Sequence, residues 1–178
     1  MPSSKICRLV GVMRCEMIGG LHISITAADR VFAFRNREVT HLVGISNPAS
    51  EARIPEWFKG THLGLKFGDV VSELDARRCG TRLADSNQIQ QAVEFARAAS
   101  SEKDSPMLVY CDYGASRSPA LAYVMLAAVS SHGLEEDCSR RILIREETQF
   151  PTKIGDEVLK RNRALLKPVY RHHRSLSQ

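Results

Sequence analysis

The sequence predicts a single α/β domain in which a mostly parallel central sheet is flanked by helices. Short apolar runs that favour strands alternate along the chain with segments of helical period. The length of 178 residues suits one domain with a sizeable core. Because no internal repeat or low-complexity linker divides the chain, we expect residues 1–178 to form one unit. Its short N-terminal and basic C-terminal tails could be flexible.

The predicted strands are short apolar or alternating runs bounded by turn residues. They cover residues 21–25, 39–45, 61–67 and 107–110. The last run is continuously apolar, which is typical of a strand buried on both faces. Between them we expect a short helix or loop at 54–58, a loop at 70–83 and a turn at 104–106.

The clearest predicted helix covers residues 85–101. Its residues Ile89, Ala92, Val93 and Ala96 follow the i, i+3, i+4, i+7 spacing of one apolar face. Asp85 or Ser86 can cap its start. Further helices are expected at 116–130, with Pro119 in the first turn, and at 134–147 and 152–166, separated by Phe150-Pro151.

Composition excludes several classes of protein. The five cysteines are odd in number and form no C-x-x-C pair, which argues against a disulfide scaffold and against a zinc site. The chain has no apolar run long enough to span a bilayer and no secretory h-region, so we expect a cytoplasmic protein. The net charge of +5 favours anionic partners. Nucleic acid is not an expected obligate partner, since the sequence has no RNA-binding or zinc-finger pattern.

One segment carries a recognisable chemistry. After the apolar run 107–110 come Cys111, five residues, Arg117 and Ser118, at the start of a predicted helix. Backbone N–H groups of such a loop converge on a phosphate, and the helix dipole adds positive potential. Arg117 supplies a planar fork that can hold two phosphate oxygens. The predicted phosphate-binding residues are Asp112, Tyr113, Gly114, Ala115, Ser116 and Arg117.

The same positive surroundings favour the thiolate of Cys111, which is the nucleophilic form of a cysteine. We expect it to attack phosphorus and form a phosphocysteine. Ser118 can donate a hydrogen bond to the sulfur when the thiolate leaves. Neither a metal nor another cofactor is needed, because the thiolate, the guanidinium and a carboxylic acid meet each charge that develops.

These residues resemble the C-x5-R-[ST] signature of the protein-tyrosine-phosphatase superfamily, and the wording Gly-x-Ser-Arg-Ser-Pro looks most like its dual-specificity and compact bacterial branches. The resemblance, over about residues 39–166, implies a phosphatase-like fold and a cysteine-dependent phosphatase of protein phosphotyrosine or of both kinds of phosphorylated residue. Tyr110 stands where the superfamily usually has His, Asp112 is an acid beside an anion site, and Gly68 replaces the first of two acids that are frequent there.

The general acid is expected among three carboxylates before the signature, Asp69, Asp75 and Asp85. Asp69 follows a predicted strand and occupies the position that the resemblance implies, Asp75 is the alternative, and Asp85 is better explained as a helix cap. Other substrates remain open: a phosphoinositide, a nucleotide or an RNA 5′ end. So does a phosphate-binding module with little or no turnover, which Tyr110 and Asp112 would suit.

Overall fold

A computed structural model of the chain describes residues 13–18, 20–102, 105–142 and 149–176. Its strands are β1 (Met13–Ile18), β2 (Leu21–Ala27), β3 (His41–Ser46), β4 (Thr61–Lys66) and β5 (Ser105–Cys111). Its helices are α1 (Glu73–Arg78), α2 (Ser86–Ser100), α3 (Arg117–Val129), α4 (Glu135–Arg141), α5 (Gln149–Val158) and α6 (Leu166–Leu176). A 3₁₀ segment, Ala28–Phe34, follows β2. The predicted N-terminal tail falls mainly on residues 1–12, which lie outside this description.

The strands form one sheet in the order β1-β2-β5-β3-β4. The four strands from β2 to β4 in that order are parallel, and β1 adds to the edge antiparallel to β2. The predicted α/β fold with a mostly parallel sheet is therefore confirmed. Since the strands are parallel, the loops that follow β2, β3, β4 and β5 meet at one edge of the sheet, where ligands bind in folds of this kind.

Alternate residues of the strands serve two separate cores. On one face, Ile23, Val43 and Val109 pack with side chains of α2 and α3. On the other face, Leu42 and Leu108 pack with the 3₁₀ segment and the loop before β4. Strand β5 is thus buried on both faces, as its continuous apolar run predicts. Its carboxyl end is held rigidly by this packing.

Helix α2 forms where the apolar spacing predicts it. The side chain of Asp85 accepts a hydrogen bond from the Gln88 N–H, and the Gln88 side chain accepts one from the Asp85 N–H, so that the two residues form a capping box. The apolar face is fully buried. Helix α3 begins one residue after the predicted start, at Arg117.

The loop prediction for residues 70–83 was wrong in part, because α1 lies within it. The Ser72 hydroxyl caps this helix by accepting a hydrogen bond of 3.1 Å from the Asp75 N–H. Six residues are less than two turns, which is too short for an apolar period to be visible in the sequence. Residues 54–58 form a loop with a turn, which is the second of the two predicted alternatives.

The C-terminal third also differs from the prediction. Helix α5 starts at Gln149 and ends at Val158, so Phe150-Pro151 lies in its first turn and does not separate two helices. The basic end of the chain includes α6, in which Leu166 and Val169 are buried. Ser105 and Pro106 belong to β5 and not to a turn. Of the predicted helix 134–147, α4 covers the first half, and residues 143–148 lie outside the described ranges.

None of the helices in the described ranges is both long and apolar enough to cross a bilayer.

Candidate active site

Cys111 is the last residue of the central strand β5 and is almost completely buried. It lies opposite Ala27, the last residue of β2, in the parallel register. Helix α3 begins six residues later and carries Ser118 in its first turn. The Ser118 hydroxyl lies 3.2 Å from the Cys111 sulfur, so the predicted nucleophile and its hydrogen-bonding partner are in contact.

The loop between strand and helix turns at Gly114, whose φ of +66° lies in the left-handed region. A Cβ atom at this position would stand 2.7 Å from the backbone of Thr26 and Ala27 at the end of β2. Glycine is required here both by the backbone conformation and by the close approach of β2. The turn lets residues 112–116 reverse direction at the end of the sheet and lead into α3.

The N–H groups of residues 113–116 remain available for a ligand. No acceptor in the described part of the chain takes a hydrogen bond from any of them. The Ala28 N–H donates to the carbonyl of Asp112 at 3.4 Å, which ties the start of the loop to the end of β2. Ser116 precedes α3 without capping it through its side chain. These loop donors, together with the N-terminus of α3, form the kind of cradle that binds a tetrahedral anion.

The guanidinium of Arg117 is buried, with 3% of the residue exposed, and is bound on several sides. Its Nη1 donates to the Phe67 carbonyl at 3.1 Å and to Asn47 Oδ1 at 3.3 Å. Its Nη2 donates to Asp112 Oδ2 at 2.6 Å, and the Asn47 amide donates to the same oxygen at 3.4 Å. Its Nε is buried and has no partner among the described residues. The cation is thus fixed in place with part of its donor capacity unused.

Asp69 reaches the same loop from the end of β4. The Gly68 N–H donates to the Arg82 carbonyl at 2.7 Å, and Arg82 Nε donates to the Lys66 carbonyl at 3.1 Å. These bonds join the two ends of the segment that contains α1. Asp69 follows that junction directly, is exposed, and accepts a short hydrogen bond from the Ser116 hydroxyl. The segment therefore holds one carboxylate beside the loop of Cys111.

The other two candidate acids are engaged elsewhere. Asp75 lies in the first turn of α1, where its carboxylate accepts a hydrogen bond of 2.5 Å from the Ser72 hydroxyl. Asp85 caps α2. Both carboxylates are explained by the helix starts that they stabilise. Of the three, the geometry brings only Asp69 into contact with the loop between β5 and α3.

Tyr110, at the position before the cysteine, points to the opposite face of the sheet from α3. It packs in the smaller core, and its hydroxyl donates to the Arg53 carbonyl at 2.7 Å. Burial raises the pKa of Tyr110 from its ordinary value of 10.0 to about 12. Its register neighbour is Gly44, where a Cβ atom would stand 2.5 Å from the phenol oxygen. Tyr110 therefore fills space that a glycine in β3 leaves open.

Sequence reasoning missed two partners of Arg117, namely Asn47 and the carbonyl of Phe67. Asn47 directly follows β3, and a backbone carbonyl leaves no signal in a sequence. Asn47 lies 70 residues from Arg117 along the chain. A polar residue directly after a predicted parallel strand is the one available hint, because such residues gather at the carboxyl edge of the sheet. The described residues contain no cluster of three or more metal-ligating side chains.

Comparison with solved structures identifies the architecture. Tk-PTP, solved in its active form, has a TM-score of 0.60 over 85% of this chain and 98% of its own, at 13% identity. The chain has the tyrosine-phosphatase fold. A mouse protein described as a dual specificity phosphatase, solved with zinc tungstate, has a TM-score of 0.53 over 91% and 94% of the two chains, also at 13% identity. No family model matches the chain, and comparison with curated proteins finds no significant match.

Proposed function

We propose that this protein is a cysteine-dependent phosphomonoester hydrolase that acts through a phosphocysteine. The contact between the Cys111 sulfur and the Ser118 hydroxyl, 3.2 Å apart at the end of β5, carries the proposal. The buried guanidinium of Arg117, the residue before Ser118, and the phosphatase fold support it. A structural cysteine would need neither the free N–H groups of the loop nor an arginine with an unpaired donor.

The reaction proceeds in two steps. The Cys111 thiolate attacks phosphorus, an S–P bond forms, and the P–O bond to the leaving group breaks while Asp69 donates its proton to the leaving oxygen. The Asp69 carboxylate then takes a proton from water, whose oxygen attacks phosphorus and displaces the sulfur. Ser118 donates to the departing thiolate, and inorganic phosphate is released. Arg117 and the loop N–H groups stabilise the negative charge on the phosphoryl oxygens in both steps.

The assignment of Asp69 as the general acid rests on its position. Its carboxylate accepts a hydrogen bond from the hydroxyl of Ser116, which belongs to the proposed phosphate-binding loop. The Asp69 side chain is also exposed to solvent. Gly68, which stands in place of the first acid of many relatives, packs against Thr81, so that a Cβ atom would meet that side chain at 2.4 Å. The glycine thus allows the segment to close behind Asp69. Asp75 is the alternative to be tested beside it.

The substrate that we propose is a phosphorylated protein, with phosphotyrosine to be tested first and phosphoserine and phosphothreonine next. Among the described residues, five of the seven large exposed apolar side chains lie in the segments that follow β2, β3, β4 and β5, which start at the edge of the sheet that holds the site. Such surfaces favour a polypeptide over a small polar phosphate ester. A phosphoinositide is less well suited, because the loop between Cys111 and Arg117 has no lysine. The apolar residues are Phe32, Ile54, Val71, Leu74 and Tyr113.

We also propose that the protein acts in the cytoplasm. Cys79 and Cys111 are free thiols, and a nucleophilic thiol persists in a reducing compartment.

A second candidate function is a phosphate-binding module with little turnover. The ion pair between Arg117 and Asp112, 2.6 Å long, favours it, because an acid that occupies the guanidinium could compete with a phosphate. The two functions differ in whether a bound ester is cleaved.

Hydrolysis of p-nitrophenyl phosphate separates them. The proposal predicts turnover that vanadate inhibits and that Cys111→Ser abolishes, while the variant keeps its fold as judged by circular dichroism. Absence of turnover between pH 5 and 8 in a folded protein that still binds a phosphopeptide would establish the binding module instead. A panel of phosphopeptides, inositol phosphates, nucleotides and triphosphorylated RNA then ranks the substrates.

A further inference from the structure

The hydrogen bonds of Arg117 divide its guanidinium into an occupied side and a free side. A guanidinium has five N–H donors. Two of them, on Nη1, are used by Asn47 and the Phe67 carbonyl, and one on Nη2 is used by Asp112. The Nε donor is buried and has no partner in the described part of the chain. Because Asn47 bridges Nη1 and Asp112, Asp112 lies on the Nη1 side of Nη2. We infer that the remaining Nη2–H lies beside Nε–H, and that these two donors form one planar fork.

The occupied side is closed by a ring of three residues. Asn47 accepts from Nη1 through its Oδ1 and donates to Asp112 through its Nδ2, and Asp112 accepts from Nη2. Each of the three side chains thus contacts the other two. Asn47 comes from the end of β3 and Asp112 from the residue after Cys111, so that the ring joins two strand ends to the start of α3.

We propose that Asn47 and Asp112 are positioning residues, which hold the guanidinium of Arg117 so that its Nε–Nη2 fork faces the phosphate. The inference rests on the proposed function, since it assumes that the loop binds a phosphate. On this inference Asp112 does not compete with the phosphate. Its carboxylate binds the Nη1–Nη2 side of the guanidinium and leaves the Nε–Nη2 side to the ligand. Fork-shaped binding of two oxygens needs this fixed orientation.

Two observations favour positioning over competition. An acid that competed with the phosphate would be expected to engage the free fork, yet Nε has no partner. Asp112 also accepts a hydrogen bond from Asn47, which itself accepts one from Arg117. The two residues therefore hold each other and the guanidinium in place. Burying an arginine whose Nε has no partner costs free energy, and a binding site for an anion at this nitrogen would explain why the arrangement persists.

The test measures the affinity for tungstate, an inorganic tetrahedral oxyanion, by titration calorimetry, which needs no turnover. Asn47→Ala opens the ring without a change of charge, and we expect it to weaken binding by about tenfold, the scale of one charge-assisted hydrogen bond. Asp112→Asn should weaken binding too, by a smaller factor, because the loss of a negative charge near the anion offsets part of the effect. kcat for p-nitrophenyl phosphate should fall more than KM rises.

Ser50→Ala is the matched control. The Ser50 hydroxyl donates to the Asn47 carbonyl at 3.2 Å in the same turn, so that this variant loses a local bond and keeps the ring. It should bind tungstate like the wild type. In an Arg117→Lys background, Asn47→Ala should not weaken tungstate binding further. Asn47 acts by orienting the guanidinium, and lysine has no guanidinium to orient.

The outcomes separate the two proposals. Tighter or unchanged tungstate binding in Asn47→Ala, or tighter binding in Asp112→Asn, would overturn the positioning role while wild-type turnover still supports the phosphatase. An equal loss of affinity in Asn47→Ala with and without Arg117→Lys would also overturn it, since the effect would then bypass the guanidinium. A folded wild type that neither binds tungstate nor hydrolyses p-nitrophenyl phosphate would overturn both.

Discussion

The turn at Gly114 offers a quantitative test of how the loop is built. Gly80 has nearly the same φ, +60° against +66° at Gly114. A Cβ atom at Gly80 meets nothing within 4 Å, whereas one at Gly114 would stand 2.7 Å from the backbone of Thr26 and Ala27. Replacing each glycine by alanine therefore imposes the same conformational cost, and only Gly114→Ala adds a collision with β2.

The left-handed conformation costs an alanine about 1–2 kcal/mol, partly offset by about 0.4–1 kcal/mol because the unfolded chain loses freedom. Gly80→Ala should therefore lower the free energy of unfolding by about 1 kcal/mol. Carbon atoms pack at about 3.5–4.0 Å, so relief at Gly114 requires the loop or the end of β2 to move by about 1 Å. Such overpacking adds about 1–3 kcal/mol, which gives a total of about 2–4 kcal/mol for Gly114→Ala.

Urea unfolding followed by circular dichroism measures both free energies. A displacement of about 1 Å at the loop should also lower kcat/KM for p-nitrophenyl phosphate by about 100-fold in Gly114→Ala, and Gly80→Ala should retain wild-type activity. If the two variants are equally stable and equally active, the close approach of β2 to the loop does not shape the site, and the reasoning is refuted.

Four further variants test the roles of single side chains. Asp69→Asn should lower kcat for aryl phosphates by about 100-fold or more and remove the pH dependence that a general acid imposes, whereas Asp75→Asn should mainly destabilise its helix; the reverse pattern would exchange the two. Ser118→Ala should slow hydrolysis of the phosphocysteine more than its formation, so that stopped-flow records show a larger burst of p-nitrophenol than the wild type; an unchanged burst would remove Ser118 from that step. Tyr110 has its folded-state pKa raised to about 12, so its contribution to stability is complete below pH 10 and is lost as the pH rises towards 12. At pH 11 the loss from Tyr110 is about 1.4 kcal/mol. Burial also raises the pKa of Tyr123, which loses stability in both proteins, so the total loss should be smaller in Tyr110→Phe than in the wild type by the amount that Tyr110 contributes. A variant that loses stability over this range as the wild type does would contradict the buried, neutral phenol.

The secondary structure around Cys111 and Arg117 could be predicted from the sequence, because the residues that determine it are close together in the chain. The apolar run of β5, the glycine turn and the helix that starts at Arg117 follow one another within a short segment, and each is visible in the order of residues. Asp69 was also accessible to reasoning, because it follows directly after a predicted strand at the carboxyl edge of a parallel sheet. The alternation of strands and helices was enough to predict the class of fold.

The rest depends on contacts between residues far apart in sequence. The Phe67 carbonyl lies 50 residues from Arg117, and no pattern in the chain announces their hydrogen bond. Helix α6 has a strongly basic composition that favours a solvated tail, yet Leu166 and Val169 are buried, and Arg171 pairs with Glu136 at 3.0 Å. Whether such a segment forms a helix depends on its tertiary packing, and the intrinsic helix propensity of its residues predicts this only weakly.

The most direct test of the account is the identity of the covalent intermediate. The protein is mixed with p-nitrophenyl phosphate, denatured during turnover, digested and analysed by mass spectrometry. We expect one phosphate on the peptide that contains Cys111, enriched in Asp69→Asn, where hydrolysis lacks its base, and absent in Cys111→Ser. Phosphate on another residue, or turnover without any phosphorylated peptide in either protein, would contradict the account.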